Sequence, residues 1–126
     1  MKFSVENEEK YTVIVSQVEK LDSISAPDLK SELVYLGKSG KRNIIIDLSE
    51  SRYCDSSGLS ALLTGNRLCK ENSGSFVICG LQPSVEKLVK ISQLHSVLNI
   101  TPTRDEAKDM VMMEELERDL GDEKKD

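Results

Sequence analysis

Apolar residues in this chain recur at two spacings, and the spacing switches in a regular order. Residues 2–6 alternate, with Phe3 and Val5 on one side and Lys2, Ser4 and Glu6 on the other, which predicts a half-buried strand. Residues 7–10 are polar and form a turn. Residues 11–18 are β-branched and partly alternating, a second strand that pairs back on the first as a hairpin. The spacing then lengthens: Leu29, Leu33 and Leu36 share one face of a helix, with Ser25 placed as its N-cap, Pro27 in its first turn and Gly37 at its end.

Residues 44–48 are apolar until Asp47, a run that suits a central parallel strand buried on both faces. A short polar connection, residues 49–53, leads to Cys54-Asp55-Ser56-Ser57-Gly58-Leu59. There a second helix opens, with Leu59, Leu62, Leu63 and Cys69 on one side, and Asn72-Ser73-Gly74 stops it. Residues 76–79 form another apolar strand. A third helix follows with Val85, Leu88 and Val89 inward, Leu94 and Leu98 extending its contacts, and residues 99–101 a last short strand. Thr103-Arg104-Asp105-Glu106 has the form of a capping box and opens a fourth helix with Ala107, Met110 and Val111 inward.

Strand and helix therefore alternate after an initial hairpin. The predicted fold is a single α/β domain with a mixed, mostly parallel sheet and about four helices. Residues 1–113 make the domain. Residues 114–126 are a charged tail, helical for a turn or two through Leu116 and Leu120 and disordered after Gly121.

Composition narrows the chemistry. The 126 residues carry a net charge of −5, of which −4 falls in residues 114–126, so the body is nearly neutral. With no basic stripe, no tryptophan and 4% aromatics, a nucleic-acid surface is not expected. Three cysteines, Cys54, Cys69 and Cys79, form no CxxC pair, which argues against a disulfide framework or zinc site and for a reducing compartment. Cys69 and Cys79 lie in apolar stretches and read as small core residues. The first ten residues hold no apolar signal region, and no apolar run reaches membrane-spanning length. The expectation is a cytoplasmic chain without cofactors and without membrane insertion.

Enzymatic readings fail on the residues. Ser56 lacks the GxSxG setting of a nucleophile elbow, and the one histidine, His95, sits in a Leu-His-Ser context after the third helix. Asp22, Asp47 and Asp55 have no metal-ligand spacing. Gly37-Lys38-Ser39 is not a phosphate loop, because position 32 is glutamate and the triplet follows a helix. What remains is Asp55-Ser56-Ser57-Gly58 at the carboxyl edge of a parallel sheet, the usual functional edge, with the Asp22 turn beside it if the second strand points the same way. Asp22 also reads as a turn residue and Asp55 as a cap. Ser56 suits an N-cap worth about 1 kcal/mol, a role compatible with an outward-presented hydroxyl.

Asp47-Leu48-Ser49 followed by Cys54-Asp55-Ser56-Ser57-Gly58-Leu59, with Leu21-Asp22 ahead of Pro27, resembles the signature of STAS domains of the bacterial anti-sigma factor antagonist type. The resemblance covers about residues 2–113. It implies a regulatory binding protein rather than an enzyme. Ser56 would be the phosphorylated residue, with Ser57 the runner-up. The unphosphorylated form would bind an anti-sigma factor that is also a serine kinase. A phosphatase would reset it, and a sigma factor would be touched only indirectly. The docking surface would comprise Asp22, Asp55, Ser57, Gly58, Ser60, Thr64 and Arg67, although the last three also read as ordinary solvated helix face. A phosphate at Ser56, adding about −1.5 to −2 charges, is expected to be tolerated by free amides at the helix N-terminus and to act on the partner interface. Glu19 and Ser60 stand where this family often has glycine. Those departures and the acidic tail motivate the alternative of a non-switching scaffold subunit in a stress-signalling or transport complex.

Overall fold

The hairpin and the parallel strands assemble as expected, with two short strands added. The computed structural model describes residues 2–124, with side chains described to residue 121. Strands β1 (Phe3–Asn7) and β2 (Thr12–Ser16) are followed by β3 (Lys20–Leu21) and helix α1 (Ala26–Lys38). Next come β4 (Ile44–Asp47), β5 (Tyr53–Cys54) and α2 (Ser56–Glu71). The remainder is β6 (Phe76–Cys79), α3 (Pro83–Ile91), a 3-10 turn (Leu94–Ser96), β7 (Asn99–Thr101) and α4 (Arg104–Lys124). The main sheet has the order β1-β2-β4-β6-β7, antiparallel between β1 and β2 and parallel elsewhere.

Period-two alternation sorts the central strands onto two cores. Ile14, Ile44, Ile46, Phe76 and Ile78 face one way and pack with residues of α1, α2 and α3, including Leu29, Leu33, Leu62 and Val85. Val13, Val15, Ile45, Val77 and Cys79 face the other way, under Ala107 and Val111 of α4. Both faces are covered, which is why β2, β4 and β6 are buried along their whole length. Cys69 and Cys79 are buried core thiols as expected.

The structure shifts several boundaries. The second strand, expected over residues 11–18, spans Thr12–Ser16, and residues 20–21 form an unforeseen β3, which pairs in parallel with β5 in a separate two-stranded sheet. The expected polar connection thus contains a strand. Buried Ser51 ties the segment before β5 to the end of β2 and the segment after it: its hydroxyl lies 2.8 Å from that of Ser16 and donates to the Val18 carbonyl at 2.7 Å. Gly37 lies inside α1; the stop is Gly40, at φ +85°, where Gly40 N–H donates to Gly37 and Lys41 N–H to Leu36.

Helix α4 begins as expected, with Glu106 N–H donating to the Thr103 hydroxyl at 3.2 Å. It then continues through Gly121 to Lys124, where the tail was expected to lose structure; residues 125–126 lie outside the described residues. Leu116 and Leu120 do not hold it, being 55% and 47% exposed. Glu115 and Arg118 do. Glu115 accepts from Asn43 at 3.0 Å, from Arg118 at 2.5 Å and from Arg42. Arg118 also donates to Asn43 and Ser75, at 3.1 and 3.0 Å. Burial pushes the Glu115 carboxyl up, but the Arg118, Asn43 and Arg42 hydrogen bonds outweigh it and hold the group at about 2.

Candidate functional site

Parallel pairing of β3 with β5 places their next residues side by side. Lys20 is opposite Tyr53 and Leu21 opposite Cys54, so the chain leaves these strands at Asp22 and Asp55 together. The Asp55 N–H then donates to the Leu21 carbonyl at 3.2 Å. This small sheet brings the Asp22 turn to the first turn of α2, the convergence expected from the sequence. Gly58 is needed for the closeness: a Cβ there would stand 2.4 Å from the Leu21 carbonyl oxygen and 2.6 Å from the Cys54 sulfur.

Asp55, not Ser56, caps α2. Its backbone is extended, and its carboxylate accepts from the N–H groups of Ser57 at 2.8 Å and Gly58 at 3.1 Å. Ser56 is therefore the first helical residue. Its side chain is exposed, and among the described residues its hydroxyl makes no hydrogen bond. The expected free amides are in part already taken, so a phosphate on Ser56 would share the helix end with the Asp55 carboxylate. Ser57, the runner-up, is half-buried.

Asp22 shapes its own turn, accepting from Ile24 N–H at 3.0 Å and Ser25 N–H at 3.2 Å. Those backbone donors hold its carboxyl below the usual range. Ser25 occupies the N-cap position of α1 but does not cap with its side chain; its hydroxyl donates to the Lys20 carbonyl at 2.9 Å. Burial raises the half-buried Cys54 thiol, the nearby Asp55 charge adds to this, and the thiol is pushed up to about 12.

The first turns of α1 and α2 frame a cleft of about 270 Å³, lined by Ser23, Ala26, Pro27, Lys30, Ser56, Ser57 and Ser60. Ser60 thus joins Ser56. Thr64 and Arg67 lie farther along α2, about 12 and 16 Å from Ser56 at helical rise. Thr64 donates to the Ser60 carbonyl at 3.0 Å, and Arg67 pairs with Glu71 at 3.2 Å. The sequence reading missed three residues here. Lys30 is the cleft's cation. Ile24, 77% exposed, stands beside Asp22, and Tyr53, 51% exposed, precedes Cys54. The one sequence signal for Ile24 was an apolar residue inside a Ser-Ile-Ser turn.

Asp47 does not join Asp22 and Asp55. It accepts from Arg104 at 2.9 Å, and Arg104 reaches Glu6 at 3.2 Å, tying the start of α4 to β4 and β1. Burial raises its carboxyl, while Ser49 and Arg104 lower it further, leaving it below the usual range. Among the described residues no group of acids, histidine or cysteines could hold a metal ion, and none of their helices is long and apolar enough to cross a membrane. His95 is exposed in the 3-10 turn, and no hydrogen bond joins it to Ser56.

Comparison with known proteins agrees with this fold. A Bordetella bronchiseptica protein assigned as anti-sigma factor antagonist BtrV is 29% identical over 87 residues, covering 69% of this chain and 75% of that protein. The crystal structure of an anti-sigma factor antagonist from Mycobacterium paratuberculosis superposes with a TM-score of 0.78 at 22% identity, over 87% of this chain and 92% of that one. SpoIIAA, a Bacillus cell fate determinant and anti-sigma factor antagonist, matches in two forms. The unphosphorylated form gives a TM-score of 0.69 at 21% identity, over 87% and 97% of the two chains. The phosphorylated form gives 0.67 at 22% identity, over 86% and 98%. The structures establish likeness of fold. The profile of the STAS domain family matches residues 4–107, and the chain belongs to that family.

Proposed function

We propose that this chain is an anti-sigma factor antagonist controlled by phosphorylation of Ser56. In this reading the unphosphorylated protein binds an anti-sigma factor that is also a serine kinase, in the cytoplasm, and phosphorylation releases it. A phosphatase restores the binding form, and a sigma factor is freed without touching this chain. The protein acts as a substrate and a ligand, not as an enzyme. The observation that carries the proposal is the exposed, unengaged Ser56 hydroxyl beside the Asp22 turn and above the Lys30 cleft.

Asp22 and Asp55 already make this edge acidic. A phosphate adds about −1.5 to −2 charges to it. Placed in a close contact, that charge must be desolvated or must face like charge, and each 1.4 kcal/mol of that cost is about tenfold in affinity. The fold itself has little reason to change, since Ser56 is exposed and Asp55 already caps the helix. That the fold resembles SpoIIAA in both forms, with TM-scores of 0.69 and 0.67, supports this.

The test is phosphate transfer. Incubation with the cognate kinase and ATP is expected to add one phosphate, and peptide mapping is expected to locate it on Ser56. Phosphate on Ser57 alone would move the switch by one residue. No phosphate with tight, persistent binding would favour the non-switching scaffold, the reading motivated by Glu19 and Ser60.

A further inference from the structure

Helix α4 has two apolar faces, and the fold uses one of them. Ala107 and Val111 are buried against the sheet. On the opposite side Met112, Met113, Leu116 and Leu120 are 39%, 61%, 55% and 47% exposed. Their spacing of three to four residues makes a continuous stripe along two turns and more. Single exposed apolar residues are ordinary; four aligned on one helix face form a patch of the kind that marks an interaction surface.

The rim of the stripe identifies its occupant. Asp109, Glu117 and Asp119 border it, all exposed, and among the described residues none takes part in an ion pair. Arg104 is paired with Asp47 and Glu6 and Arg118 with Glu115, which leaves exposed Lys108 as the one cation beside three acids at this rim among the described side chains of α4, so the rim stays net acidic. A second copy of this helix would set acids against acids. An anionic lipid surface would be repelled in the same way. A helix with an apolar stripe and lysine or arginine on its flanks satisfies both features at once. Methionine side chains adapt to the shape of such a partner.

We propose that the outer face of α4 is a second docking surface, which binds an amphipathic, basic-flanked helix of a partner protein. It lies on the sheet face opposite α1 and α2, which carry the Ser56 site. The two surfaces can therefore be occupied together, and phosphorylation of Ser56 leaves the second one unaltered. The inference does not depend on the proposed switch.

The test uses a labelled 18-residue peptide of leucine and lysine arranged with helical amphipathic periodicity. Its control is a peptide of the same composition with the periodicity scrambled. Fluorescence anisotropy with the full chain is expected to show at least tenfold tighter binding of the amphipathic peptide. Leu116→Ser combined with Leu120→Ser should abolish that difference, and Asp109→Lys combined with Glu117→Lys should weaken binding at least tenfold. Because these side chains are exposed, thermal melts should confirm that the variants remain folded. Ser56→Asp should bind the peptide like the wild type. Equal affinity for both peptides, or a preference that survives the serine substitutions, overturns the proposal. So does a stable dimer in light scattering that the serine substitutions dissociate, since it would assign the stripe to a second copy.

Discussion

Substituting Gly58 by alanine sets two physical effects of opposite sign against each other. In an unconstrained helix the change stabilises by up to about 1 kcal/mol, because glycine loses more backbone freedom on folding. Gly58 has no positive φ, so its backbone gives alanine no reason to fail. The obstacle is steric. The new Cβ would sit 2.4 Å from the Leu21 carbonyl oxygen and 2.6 Å from the Cys54 sulfur, where 3.0 Å is the practical limit. The carbonyl is backbone of β3 and cannot swing aside. Overpacking of this kind costs about 1–3 kcal/mol, so the net expectation is destabilisation of about 1–2 kcal/mol. The relief must come from moving the start of α2 away from β3, which separates Ser56 from the Asp22 turn. Binding of the cognate partner should fall along with stability. Urea denaturation followed by far-UV circular dichroism measures the first effect and titration calorimetry the second. Gly37→Ala is the control, since the nearest atom to its Cβ is the Asn72 side-chain nitrogen at 3.5 Å. It should be neutral or stabilising by up to about 1 kcal/mol. If Gly58→Ala were as stable as the wild type and bound the partner equally well, the close approach at the heart of the site would be wrong.

Three further outcomes follow from the same contacts. Asp55→Ala removes the side-chain acceptor from two amides of α2 and should cost about 1–2 kcal/mol in urea denaturation, whereas Asp55→Asn, an equally good cap, should recover most of it. Glu115 is held at about 2, below its ordinary 4.5, so its contribution to stability is present above about pH 4.5 and lost as pH falls toward 2. The stability gap between wild type and Glu115→Gln should therefore be largest near neutrality, about 3 kcal/mol at most, and shrink through that acid range. Cys54 and Cys69, pushed to about 12, and Cys79, pushed to about 11, should react slowly with a thiol reagent at pH 8 in the native protein and readily in urea.

The site was more legible in the sequence than the elements that build it. Asp55 and Ser56 stand out because an acid suited to capping and a serine at a helix entrance each leave a local mark, whereas a role for Gly58 entered only through the family resemblance and its close approach to Leu21 was not legible. The mixed, mostly parallel sheet was legible too, because uninterrupted runs such as Ile44–Asp47 announce burial on both faces. By contrast, β3 and β5 have two residues each, too few for any period to show. Their pairing nonetheless sets Asp22 beside Asp55. Asp55 and Ser56 both read as caps because serine and aspartate both serve that position, and only backbone geometry decides between them. The course of α4 was hidden for another reason. Its visible apolar repeat, Leu116 and Leu120, faces solvent, while the contacts that fasten it are charged residues paired with Asn43 and Ser75, more than 40 positions earlier in the chain.

The account's central claim is that Ser56 is a switch at the partner interface and not merely a helix-terminal residue. Binding of the cognate kinase to wild type, Ser56→Ala and Ser56→Asp, measured by calorimetry on folded proteins, tests it most directly. The prediction is that Ser56→Ala binds as the unphosphorylated wild type does, while Ser56→Asp binds at least tenfold more weakly. Equal affinity of Ser56→Asp and Ser56→Ala would contradict it.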